Sequence, residues 1–256
     1  YTIADPKTFG ISEYEPVLPI YHSDQPEDSK EHCSDLLHRL DRIDPDRLSP
    51  ENAYTYRLLH RSLENDLALA DFPYYNEPLS PSSGMQSQLP VLLAEYTFRT
   101  KRDVTDYLAL LDQIDDYFAS LLLYEQEKAA AGFFMPACSS EKVRKQCDTI
   151  VTTEELAQGT HFLQTTFEDR LSELQKQGLF TPEETASLIK TNNRLLVTVV
   201  QPAYAALSEG LHSLETSTNA DSTASETTTN TASGKNSSAH NGLPKGLALL
   251  PDGKTY

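Results

Sequence analysis

His60 and Glu64 stand one helical turn apart, the spacing at which two side chains on one helix face can reach a common metal ion. Zinc needs three or four ligands, and no His-Glu-x-x-His motif completes a set, so the pair reads as a surface contact. His32 and His38 are six apart and share a face poorly, and His161 follows Gly159-Thr160 at a helix start, where a structural role is the simpler assignment. Nucleophilic chemistry is no better served. No Gly-x-Ser-x-Gly elbow, Walker loop or Gly-x-Gly-x-x-Gly fingerprint occurs. Cys147 could pair with a distant histidine, but a thiol on an amphipathic helix is usually a small core hydrophobe. Asp112, Asp115 and Asp116 lie on the polar face of a helix, where solvation accounts for them. The chain therefore presents no catalytic residue and no metal-ligating set.

One stretch stands apart, PYYNEPLSPSSGMQSQLP, from Pro73 to Pro90. Four prolines, four serines and a glycine predict an irregular loop throughout. Long loops inside compact domains often carry function. Tyr75, Ser83, Gln86 and Gln88 could line a ligand cleft with aromatic, hydroxyl and amide groups, and Gly84 would let a backbone approach closely. The same residues could equally serve a wrapped connector whose aromatics fasten it to the helices. Leu89-Pro90-Val91-Leu92-Leu93 is expected to plug into the bundle.

The elements around this loop read as helices. Cys33, Leu36, Leu37 and Leu40 mark one over Asp28–Ile43, closed by Pro45. Ser49-Pro50 pairs a cap with an N1 proline and opens a second helix to about Phe72. Thr100 and Asp103 form a capping-box variant at the head of a long helix ending near Ala131 and Gly132. Two more helices are expected, over Ser140–Leu156 and Thr160–Gln177, the second stopped by Gly178. Thr181-Pro182-Glu183-Glu184 starts the last one, which runs to about Leu214 with a kink at Pro202. The fold class is all-α, an irregular bundle of about seven helices.

Residues 1–214 thus form a helical domain with an irregular N-terminal arm, and 215–241, nearly all Ser, Thr, Asn, Ala and Gly, read as a flexible insertion or linker. Residues 242–256, GLPKGLALLPDGKTY, turn compact again and read as the start of a following segment. A formal charge of -17 and the absence of a Lys/Arg cluster disfavour nucleic acid as a partner. No apolar run is long enough to span a membrane, and no signal peptide opens the chain. Cys33, Cys138 and Cys147 form no zinc-binding spacing. On a straight helix Cys138 and Cys147 would lie roughly 13 Å apart, too far for a disulfide, so free thiols are expected.

An ordered series of residues resembles a known family: the opening Tyr-Thr-x-Ala-Asp-Pro-x-x-Phe-Gly-Ile, then Ser-x-x-Ser-Gly-x-Gln-x-Gln-Leu-Pro, Thr100 with Asp103 and Tyr107, Gly132 with Met135-Pro136, Val200-Gln201-Pro202-Ala203-Tyr204, and the final Gly-Leu-Ala-Leu-Leu-Pro-Asp-Gly-Lys-x-Tyr. Together they resemble the bacterial domain-of-unknown-function family 885, whose members are similar to helical zinc metallopeptidases. The resemblance implies that this chain is the N-terminal helical part of a longer protein, that its partners are the C-terminal half of the same polypeptide and a peptide substrate, and that zinc is held by His-Glu-x-x-Gly-His in that half. It implies no cofactor and no catalytic residue in this chain. It also implies an extracellular or cell-envelope setting, with a possible lipid anchor. The alternative is a stand-alone extracellular helical binding module without enzymatic activity.

Overall fold

The computed structural model describes the backbone of residues 10, 11, 13–21 and 25–225, and the side chains of all these except 25–29 and 217–225. The expectations for residues 226–256 lie outside the described residues. Ten α-helices follow in order: α1 (Gln25–Leu40), α2 (Pro50–Leu69), α3 (Met85–Ala94), α4 (Lys101–Leu111), α5 (Ile114–Ala130), α6 (Ala137–Ile150), α7 (Thr153–Gln158), α8 (Phe162–Lys176), α9 (Pro182–Leu195) and α10 (Gln201–Ser225). The fold is all-α, with no strand among the described residues.

Capping starts several of these helices as the sequence predicts. At Thr100/Asp103 and Thr181/Glu184 the side chain and backbone exchange both capping-box bonds. Gly132 and Gly178 close α5 and α8 with positive φ, a backbone that glycine adopts without penalty. α10 lies against α5 and α6, α3 against α6 and α8, and α8 against α9. Tyr107, Phe118, Leu121, Phe167, Leu196, Tyr204 and Leu207 are all buried at their meeting point. Phe98, Tyr107 and Phe167 form an aromatic cluster with ring centres 5.3–5.5 Å apart.

Four expectations need correction. The long helix over 100–131 is two helices, because Gln113 turns its side chain into the backbone. Its Nε2 donates to the Ala109 carbonyl at 2.8 Å, while its own N–H moves on to Leu110 O at 3.3 Å. The helix over 140–156 breaks at Val151, and Thr152 caps a new short helix by accepting from the Glu155 N–H. The disruption near Pro202 is a π-helical turn over Leu196–Val200, just ahead of the proline that lacks an N–H for the regular ladder. α10 runs on to Ser225.

The fourth correction bears on the site. The segment 73–90 is not irregular throughout: Pro73–Tyr75 form a 3-10 turn, and α3 begins at Met85 with Pro90 inside it. An interior proline leaves the carbonyl four residues back without a partner. Here that carbonyl belongs to Gln86, and the buried Tyr204 hydroxyl of α10 donates to it at 2.7 Å. A residue 118 positions away thus fills the gap and permits the helix. α3 plugs in by one face only: Leu89, Pro90 and Leu93 are buried, whereas Val91 and Leu92 are exposed.

Candidate functional site

The segment leading into α3 is fastened at three levels. At its start the Tyr124 hydroxyl of α5 donates to Pro73 O at 2.8 Å. One turn further, the wholly buried Lys128 ammonium donates to Asn76 O at 3.1 Å and pairs with Glu77 at 3.0 Å and Glu125 at 3.4 Å. These three partners use its three protons. Glu125 is also wholly buried, and burial pushes its carboxyl up to about 7 against the opposing pull of Lys128. Tyr74 and Tyr75 pack their rings on Phe133, with centres 5.7 and 5.2 Å away.

The middle is a tight turn. The Gly84 N–H donates to Ser80 O, and a Cβ at Gly84 would lie 2.2 Å from Ser80 N. No side chain fits there. Gln86 lies inside the body with its amide donating to Ser80 O at 2.6 Å and to Gln146 Oε1 of α6 at 2.8 Å. Gln146 returns a bond to Pro81 O at 2.9 Å. Of the five residues the sequence singles out, Ser83 and Gln88 are exposed, Tyr75 is half-buried, and Gly84 and Gln86 are buried. Gln88 donates to Ser83 O at 2.7 Å. The structure thus joins Ser83, Gly84, Gln86 and Gln88 in one turn and sets Tyr75 apart, on Phe133.

The third level is the far end of α3. Arg170 of α8 donates to Leu93 O at 3.1 Å and to Tyr96 O, while its guanidinium lies over the Phe98 ring at 4.4 Å. This satisfies carbonyls that a helix end leaves open.

Beside α3 runs a groove of about 660 Å³ that sequence reasoning missed. Met85, Leu89, Leu92 and Leu93 of α3 form one side, residues 14–19 the other, and Leu110 and Tyr117 contribute from α4 and α5. The arm is held to the body at alternate residues. Arg102 donates to Tyr14 O at 2.5 Å, Gln113 donates to Pro16 O at 2.8 Å, and the Leu18 N–H donates to Gln113 Oε1 at 3.0 Å. Pro16 and Pro19 are the only local signals of this arm, since they bar a helix without saying where the segment rests.

Two of the histidines have structural partners. His60 sits between Asp41 and Glu64, at 3.2 and 3.5 Å, on the surface. His161 caps α8: its Nδ1 accepts from the Leu163 N–H, which leaves the proton on Nε2 for the Ile150 carbonyl at 2.8 Å. All three cysteines are free, and burial pushes the Cys147 thiol up to about 12, so it is not a nucleophile near neutral pH.

The sequence model of a family described as "Bacterial protein of unknown function (DUF885)" matches residues 7–250. The chain belongs to that family. No curated protein shows significant similarity to it. This DUF885 chain is similar in fold to a solved structure described as "the putative lipoprotein from Colwellia psychrerythraea", with a TM-score of 0.65 at 14% identity. The match covers 78% of this chain and 35% of the other, so the chain spans about a third of the length of that structure. No helix among the described residues is long and apolar enough to cross a membrane. Nor do three His, Cys, Asp or Glu side chains converge among them as a metal site requires, so these residues do not fit zinc.

Proposed function

We propose that this chain is the non-catalytic helical part of a longer, exported, peptidase-like protein, and that it forms one wall of a peptide-binding cleft. The observation that carries this reading is the groove beside α3, about 660 Å³ in volume and mainly apolar. Its dimensions suit a short stretch of extended chain, and ligand sites are commonly concave, apolar and preformed. Preformation has a physical source here. The turn at Gly84, the Gln86–Gln146 pair and Arg170 fix α3, so binding need not order it. Such a wall would act by orientation, holding a peptide against reactive groups supplied by the remainder of the polypeptide. Zinc, an extracellular or envelope location and a lipid anchor belong to this proposal, and the metal would be held by residues outside this chain.

The test uses the polypeptide encoded by the complete gene, assayed on a mixture of quenched fluorescent peptides, with Leu92→Asp and Val17→Asp variants beside it. Both residues are exposed, so the substitutions leave the core alone. A rise of roughly tenfold in KM with unchanged melting temperature is the expected result. Unchanged KM in both variants would remove the groove from the substrate path.

A further inference from the structure

The arm over residues 14–19 has two edges, and they are used differently. Its inner contacts fall on Tyr14 O, Pro16 O and Leu18 N–H, all bonded to Arg102 or Gln113. Spacing by two is the signature of extended backbone, in which successive residues direct their N–H and C=O groups to opposite sides. Residues 14–19 all line the groove, and among them the backbone groups of Glu15 and Val17 make no hydrogen bond with any of the described residues. The arm therefore offers the groove the open edge of a short strand. Pro19 lacks the N–H that would continue the pattern, which limits the edge to a few residues.

Charge is just as one-sided. Among the described residues, the charged ones lining the groove are Glu15 and Glu95, with no lysine or arginine. Arg102 and Arg170, which touch lining residues, are committed: the Arg102 guanidinium lies 4.1 Å from the centre of the Tyr14 ring with its Nε 3.4 Å from Asp106, and Arg170 donates to Leu93 O and Tyr96 O. Tyr96, also in the lining, has its hydroxyl pushed up to about 12, first by burial and then by the charges of Asp106 and Asp103. The Glu15 and Glu95 carboxylates place negative charge along the groove.

From these observations we infer that the groove takes an extended peptide segment with apolar side chains and flanking positive charge, which adds to the arm as a strand through Glu15 and Val17. The apolar side chains would settle on Leu89 and Leu92, and the cationic groups would face Glu15 and Glu95. Edge addition supplies affinity from main-chain bonds, while pockets and charge set the choice of sequence. This inference rests on the reading of the groove as part of a peptide-binding wall, and it narrows that reading to a substrate class.

The test is isothermal titration of the 256-residue chain with two capped synthetic peptides, Lys-Leu-Val-Leu-Lys and Glu-Leu-Val-Leu-Glu. At low salt the cationic peptide should bind roughly fivefold to tenfold more tightly, and the margin should shrink as salt is raised. The double variant Glu15→Lys with Glu95→Lys should reverse the order. Both positions are exposed, and circular dichroism checks that the variant stays folded. A third peptide, the cationic one N-methylated on its central valine and flanking leucines, should lose roughly tenfold by forfeiting main-chain donors. Equal binding of the two charge types, a preference the double variant does not move, an insensitive N-methyl peptide, or no binding at all would each overturn the inference. The wall reading is judged separately, by the KM of the Leu92→Asp and Val17→Asp variants on mixed peptides, so the two can fail independently.

Discussion

The α1–α2 hairpin and the segment from Pro73 through α3 precede the same bundle, yet they spend their apolar residues differently. In the hairpin no described side chain of either helix joins the buried core, and Tyr54, Leu58 and Leu59 are exposed. Leu63 and Leu67 are half-buried, α1 and α2 lie against each other, and a surface ion pair links Lys30 to Asp71. The loop and α3 give Leu79, Leu89 and Leu93 to the core and are bonded through polar groups to α5, α6, α8 and α10. The difference teaches that a proline-rich segment can be stiffer than a helical hairpin. Buried polar groups cost heavily when unpaired, so a geometry that breaks these bonds is penalised.

The largest effect should come from the tightest point. Gly84→Ala places a methyl group against the Ser80 backbone, which cannot move aside as a flexible side chain would. A loss of about 3 kcal/mol is expected in urea unfolding. A loss under about 1 kcal/mol would mean that the turn yields and is not a fixed element.

The ion cluster predicts a pH signature. Burial holds the Glu125 carboxyl near 7 when folded, above its ordinary 4.5, so the folded state keeps a proton that the unfolded chain releases. Between about pH 4.5 and 7 the unfolded state therefore binds fewer protons, and stability from this group falls as pH rises, then levels off. Burial raises the Glu77 carboxyl as well, which adds a contribution of the same sign. Glu125→Gln should flatten most of that slope and raise stability at pH 8 by about 1–3 kcal/mol. An unchanged profile in the variant would show that the carboxyl is not held protonated by its surroundings. The smallest effect is expected in the hairpin. Asp71→Asn removes one exposed ion pair and should cost no more than about 0.5 kcal/mol.

Much of the bundle is legible in the residues themselves because caps are local. Thr100, Asp103, Thr181, Glu184, Gly132 and Gly178 each act within one turn of the helix end they mark. The misreadings have both distant and local causes. Nothing near Pro90 announces that Tyr204 will satisfy Gln86 O, and the apolar stripe through Leu111 and Ile114 continues across the break that Gln113 makes. The candidate site divides in the same way. Ser83, Gly84, Gln86 and Gln88 are recognisable as a special turn by composition, but the groove depends on where the arm rests. That is set by Gln113 and Arg102, 97 and 88 residues from the carbonyls they hold. The exposed pair Val91-Leu92 beside a buried Leu93 is the one local hint of a second face on α3.

Native-state hydrogen exchange compares the two regions most directly. The Met85 and Gln88 amides bond to Pro78 O and Gly84 O, at 2.8 and 3.1 Å, and in a preformed wall they should exchange only with global unfolding, together with core amides of α5 such as Leu121. Amides along α2 should exchange earlier, through opening of the hairpin alone. If Met85 and Gln88 instead exchange as fast as α2, the loop is not fixed by its buried bonds and the preformed wall is contradicted.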